Sequence, residues 1–167
     1  MSYLIRKVEN IAKWSNKSDD EQDLPADTLT NELKTTSNTL SLWEISNLTQ
    51  LDDIAIAIAT TRDEIKDFFL VYFEKDEIEK NFDLINQKNE STPFEDYQDK
   101  HYDIQNLKVK DLCGFAKKML QVVEQGKVFD FLVEDEKDHI KDLVDSEKIK
   151  KDILLTKRKW KQLIFSC

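Results

Sequence analysis

Apolar residues recur along this chain with two different periods. Val109, Leu112, Cys113, Ala116, Met119, Leu120 and Val123 follow the three-and-four spacing that puts side chains on one face of a helix. Gly126 falls where a residue of positive φ closes such an element, so the pattern predicts a helix over 108–125. Cys113 sits on that stripe and is expected to be a buried, inert thiol. Leu51, Ile54, Ala55 and Ile58 form a second helical face, with Thr49 and Asp52 approximating a capping box before it. Pro25 suits a first helical turn, and Leu29 and Leu33 follow it one turn apart. Asp76 can cap a helix carrying Ile78, Phe82 and Ile85. From Glu134 the helical spacing runs through Ile140, Leu143, Val144, Ile149, Ile153 and Trp160, which predicts one or two long helices at the end.

The other period belongs to strands. Tyr3 to Val8, Thr39 to Ile45 and Ile65 to Glu74 are rich in β-branched and aromatic residues, and the third holds an unbroken apolar run from Phe68 to Phe73 that reads as a buried central strand. Residues 89–102 read as a loop, and Val128 to Val133 fits either a short strand or the start of a helix. The expected fold is α+β. A small β-containing part over 1–75, with about three strands and two helices, precedes a mostly helical part over 76–167, the two forming one compact domain.

Composition narrows what such a fold can do. The chain has 167 residues and 40% apolar content, enough for one core. Gly114 and Gly126 are its only two glycines, so phosphate-cradling loops and strained nucleophile turns cannot be written. Acids outnumber bases 34 to 25, giving a net charge of −9 that disfavours nucleic acid and anionic membranes as partners and favours a basic protein. The apolar runs at 54–59 and 68–73 fall short of the roughly 20 residues of a bilayer span. The first residues lack the pattern of a secretory signal, so the cytoplasm is the expected location. Cys113 and Cys167 make no metal or redox spacing, and the acidic stretch Asp19, Asp20, Glu21 and Asp23 reads as a flexible connection.

Three constellations carry candidate chemistry. Asp27 with Glu32-Leu33-Lys34 is similar to the Asp and Glu-x-Lys elements of metal-dependent nucleases, where two carboxylates hold Mg²⁺ and lysine assists the attacking water. With acids this abundant, solvated carboxylates explain the match better. Lys157, Arg158, Lys159, Trp160 and Lys161 combine cations with a stacking aromatic, as a nucleic-acid contact would, although helix-end lysines around an inward Trp160 explain the same residues. Trp14 and Trp43 flank Asp27, Thr28 and the polar run Lys34 to Thr39, with Ser37 and Asn38 at its centre. Such hydroxyl and amide groups satisfy turns, or they form a recognition loop with aromatic anchors for a partner. The two histidines, His101 and His139, belong to no nucleophile motif, so no catalytic residue, metal ligand or cofactor is assigned.

The expected function is therefore a non-enzymatic, acidic protein–protein interaction module that binds a basic protein. An immunity protein, an antitoxin or an accessory subunit of a bacterial defence or toxin system would fit, and a homo-oligomer is compatible with the composition. The alternatives are a carboxylate-dependent metal enzyme acting on nucleic acid or nucleotides, and a nucleic-acid-binding accessory protein using residues 157–161.

Overall fold

Along β1 (Tyr3–Val8) successive side chains enter two different cores: Leu4 and Val8 are buried on one side and Ile5 on the other. The structure is a computed structural model that describes residues 2–15 and 24–165; the acidic stretch at 19–23 and Cys167 lie outside them. β1 pairs antiparallel with β2 (Leu40–Ile45) on one side and β3 (Phe68–Glu74) on the other. β4 (Leu84–Asn86), β5 (His101–Ile104) and β6 (Val128–Phe131) complete a sheet of order β4-β5-β2-β1-β3-β6. Both faces are covered, and this is why Leu70 and Val71, adjacent in β3, are each fully buried in separate clusters.

Helices make the outer layers. On one face pack α2 (Leu51–Thr60), α4 (Glu95–Gln98), α6 (Val133–Asp145), α7 (Lys151–Leu155) and α8 (Arg158–Phe165). On the other lie α1 (Ala26–Glu32), α3 (Lys75–Glu79) and α5 (Val109–Glu124). α2 is apolar nearly all round and is buried from Ile54 to Thr60, held between sheet and outer helices. The capping box is formed by Asn47 and Gln50 around a 3-10 turn that leads into α2, rather than by Thr49 and Asp52, and α2 itself starts without a side-chain cap.

The expected α+β class holds, but among the described residues the sheet has six strands instead of about three, and the part expected to be mostly helical contributes half of them. β4, β5 and β6 all come from beyond residue 75. The helix expected through Ile85 stops at Glu79, and Ile85 instead pairs with Asp103 in β4. The expected loop at 89–102 holds α4 and the start of β5. β5 was concealed because its polar positions are satisfied by neighbours: Asp103 accepts from Ser41 Oγ at 3.0 Å, and the His101 ring lies edge-on to Trp43 at 5.0 Å. Residues 133–165 form three shorter helices in place of one or two long ones. Cys113 is exposed, not buried, because the α5 stripe centres on Phe115, Ala116, Met119 and Leu120 and leaves it just past the edge.

Candidate functional site

α6 begins where the Val133 amide donates to the Asp67 carboxylate at 2.9 Å, and Glu134, Asp135 and Glu136 in its first turn suit the positive end of the helix dipole. Val133, Ile140, Leu143 and Val144 form its buried stripe. Glu134, Asp135, Asp138, Asp142 and Asp145 are all exposed, and their three-and-four spacing collects them on the face opposite that stripe. Lys137 and Lys141 reach Glu134 and Asp138 along the same helix at 3.6 Å each, in exposed i,i+3 pairs. Such pairs attract weakly.

This helix is fixed to its neighbours by a polar knot centred on Asp53 of α2. His139 bridges Asp53 at 3.5 Å and Glu136 at 3.2 Å, and the Tyr97 hydroxyl of α4 donates to Asp53 at 3.3 Å. Burial, reinforced by the Asp53 charge, pushes the Tyr97 phenol well above its usual range, so it remains a donor. At the far end of α6 lies an open groove of about 660 Å³. Val144, Ile149 and Leu155 give it apolar walls, and Asp145, Glu147 and Asp152 line it together with Lys150 and Lys151. Lys150 is paired with Glu95.

The residues singled out from the sequence do not meet on one surface. Trp14 is buried in the core on one side of the sheet and Trp43 in the core on the other. Thr28 is fully buried, while Asp27 is exposed and pairs with Lys13 at 3.0 Å. Lys34 is exposed. Ser37 and Asn38 have φ of 54° and 60° and are the central residues of a tight turn whose flanks, Thr36 and Thr39, bridge each other. The Asn38 carbonyl accepts from the Leu107 amide at 3.1 Å.

The carboxylate of Glu32 is buried and accepts the amides of Glu9 and Asn10 at 2.9 and 3.0 Å, so its oxygens close the end of β1. Among the described residues, no group of three or more His, Cys, Asp or Glu is placed to hold a metal ion. The cationic cluster near the C-terminus closes the end of α2. Lys157 Nζ donates to the Thr60 carbonyl, the buried Trp160 indole donates to the Arg62 carbonyl at 2.9 Å, and Lys159 lies 3.8 Å from Glu64. Burial lowers the pKa of Lys157. Arg158 and Lys161 remain exposed.

The α6 face was not singled out from the sequence, although its signal was present in the spacing of its five acids. No helix among the described residues is long and apolar enough to cross a membrane. The chain matches no known protein family, no curated protein and no solved structure.

Proposed function

We propose that this protein is a non-enzymatic binding module that docks a basic protein on the outward face of α6 and the groove at its end. The observation that carries the reading is the gathering of Glu134, Asp135, Asp138, Asp142 and Asp145 on the one face of α6 that takes no part in the core. Like charges three and four apart weaken a helix by a few tenths of a kcal/mol per pair, roughly 0.2–0.5. At Asp138, Asp142 and Asp145, beyond the first turn, that repulsion works against α6 alone and is relieved once a cationic surface covers it. The groove adds what charge does not, because Val144, Ile149 and Leu155 offer contacts to an apolar anchor set among lysines or arginines.

An immunity protein, an antitoxin or an accessory subunit acts through such a surface and needs no catalytic group. The metal-enzyme and nucleic-acid readings have no observation of this kind behind them. Asp27 and Glu32 are engaged by Lys13 and by backbone amides, and Lys157 and Trp160 by carbonyls of the chain.

The test is co-purification with each product of the genes flanking its own. A basic product is expected to co-elute with the wild-type protein at about 0.1 M salt and to separate from the triple variant D138N/D142N/D145N. If every flanking product elutes apart from the wild type, or the triple variant retains its partner with unchanged affinity, the proposal is wrong.

A further inference from the structure

Two of the chain's three arginines, Arg6 and Arg62, line one cavity of about 160 Å³ together with Lys7, Ser41, Trp43 and His101. In a protein of net charge −9 such a convergence of cations is unexpected from composition. The cavity lies where the pairing of β1 with β2 ends, at Ile5 and Trp43. Beyond that pair the Arg6 guanidinium spans the gap, donating to the Ser41 carbonyl at 2.8 Å and the Glu32 carbonyl at 2.7 Å. Its Nε is buried without a partner among the described residues. Carbonyls, not carboxylates, receive its hydrogen bonds, and burial pushes its pKa down to about 10.

Lys7 is the adjoining cation. Its side chain is only 14% exposed and its Nζ stands 5.0 Å from the centre of the Phe68 ring. Burial, followed by the charge of Arg62, lowers its pKa, so the two cations already repel each other across the cleft. What holds them together is one oxygen: Glu9 Oε1 accepts from Lys7 Nζ at 3.1 Å and from Arg62 Nη1 at 3.0 Å. Glu9 itself is 60% exposed. A second cavity of about 80 Å³ is also lined by Lys7 and Arg62 and has Glu9 in its wall, so the two cations border open space on both sides while the Glu9 carboxylate borders the smaller cavity.

We propose that Lys7 and Arg62, backed by Arg6, form a binding site for a small anion or the anionic end of a small ligand, carboxylate or phosphate, which takes the place that the Glu9 carboxylate holds. The Glu9 carboxylate occupies the site as an internal surrogate and shows which oxygen position the two cations converge on. A cavity of about 160 Å³ is well below the several hundred Å³ of a drug-sized pocket, so the site takes a head group and a few attached atoms. Trp43 and His101, packed edge-on, border it and favour a flat or apolar attachment. The acids nearby have partners of their own: the Glu32 carboxylate, whose charge acts on Arg6 and Lys7, accepts the Glu9 and Asn10 amides, Glu64 pairs with Lys66, and Asp103 is engaged by Ser41 Oγ at 3.0 Å and stands 3.9 Å from His101 Nε2. The site is separate from the α6 face and does not depend on the docking reading.

The experiment titrates the full chain by calorimetry with inorganic phosphate and, in a second arm, with acetate, both at fixed ionic strength. Saturable binding of at least one anion is expected, and the tighter of the two assigns the site to phosphoryl or carboxyl groups. Glu9→Gln removes the internal competitor and should tighten binding about two- to fivefold. Arg62→Gln, at a side chain 56% exposed and therefore compatible with folding, should weaken it about tenfold or more while the melting temperature stays within a few degrees. Absence of saturation with both anions, in the wild type and in Glu9→Gln, overturns the proposal. Affinity left unchanged by both substitutions overturns it as well.

Discussion

Gly114 illustrates how a single residue can be read correctly in place and wrongly in purpose. Its position inside the strongest helix suggests a close approach of another element, yet a methyl group there would meet only the tip of Phe82 at 4.0 Å, an ordinary contact. Gly114→Ala is therefore expected to stabilise the fold by about 1 kcal/mol, from helix propensity alone. For a chain of this size that is a rise of about 2–4 °C in melting temperature. Glu147 presents the reverse case, since it adopts φ of 61° at the end of α6 where glycine is the cheaper residue. Glu147→Gly should raise stability by about 0.5–1 kcal/mol, read as a shift of the urea midpoint without a change in slope. Glu9 adds a dependence on pH. Hydrogen bonding and charge contact with Lys7 hold its carboxyl below its usual value of 4.5. The folded state thus binds fewer protons than the unfolded chain in that range. Its contribution is complete above pH 4.5 and is lost as pH falls through the depressed value. Because Glu9 is largely exposed the contribution is about 0.2–1 kcal/mol, and Glu9→Gln should flatten the acid limb of stability below pH 4.5 by about that much.

Elements were legible wherever one physical signal dominated. β1 and α5 follow clean periodicities and lie within a residue of their expected bounds. β4 and β5 were hidden for a shared reason: Ile85, His101 and Asp103 become strand positions only through partners far away in sequence, such as Trp43 and Ser41, and no local pattern records those partners. The loop reading of Ser37 and Asn38 had the right chemistry, since two successive residues of positive φ make a tight turn, and short polar residues tolerate that conformation. The C-terminal cations fit two readings in the sequence because their partners, the Thr60 and Arg62 carbonyls at the end of α2, are nearly a hundred residues away. At this scale, Trp160→Ala should cost about 3–5 kcal/mol by emptying a fully buried site, and Lys157→Met about 1 kcal/mol by removing a carbonyl partner, both measured by chemical unfolding. An unfolding free energy within experimental error of the wild type for Trp160→Ala would mean the indole is not held as described.

For the whole molecule, charge and topology were unequally legible. Net charge is additive and survives folding, so the acidity visible in the sequence reappears as the carboxylate face of α6. Topology is not additive. The order β4-β5-β2-β1-β3-β6 depends on which strands find each other, and β6 joins β3 across more than fifty residues of chain. The candidate anion site was illegible for the same reason, because Lys7, Arg62 and His101 come together only once β1, the end of α2 and β5 are assembled. Since one sheet supports helices on both faces, removing either layer bares one apolar face of the strands on which the other layer rests. Unfolding should accordingly be a single transition, with circular dichroism and fluorescence giving coincident midpoints.

The division of the core by the sheet also gives the molecule a pair of built-in optical reporters. Trp14 is confined to one compartment, and Trp43 and Trp160 to the other. A protein retaining only Trp14 would signal the environment of the α5 side, and one retaining only Trp160 that of the α6 side. A partner that settles on α6 should therefore change the emission of Trp160 and leave that of Trp14 untouched, so light alone can tell from which side the molecule is being held.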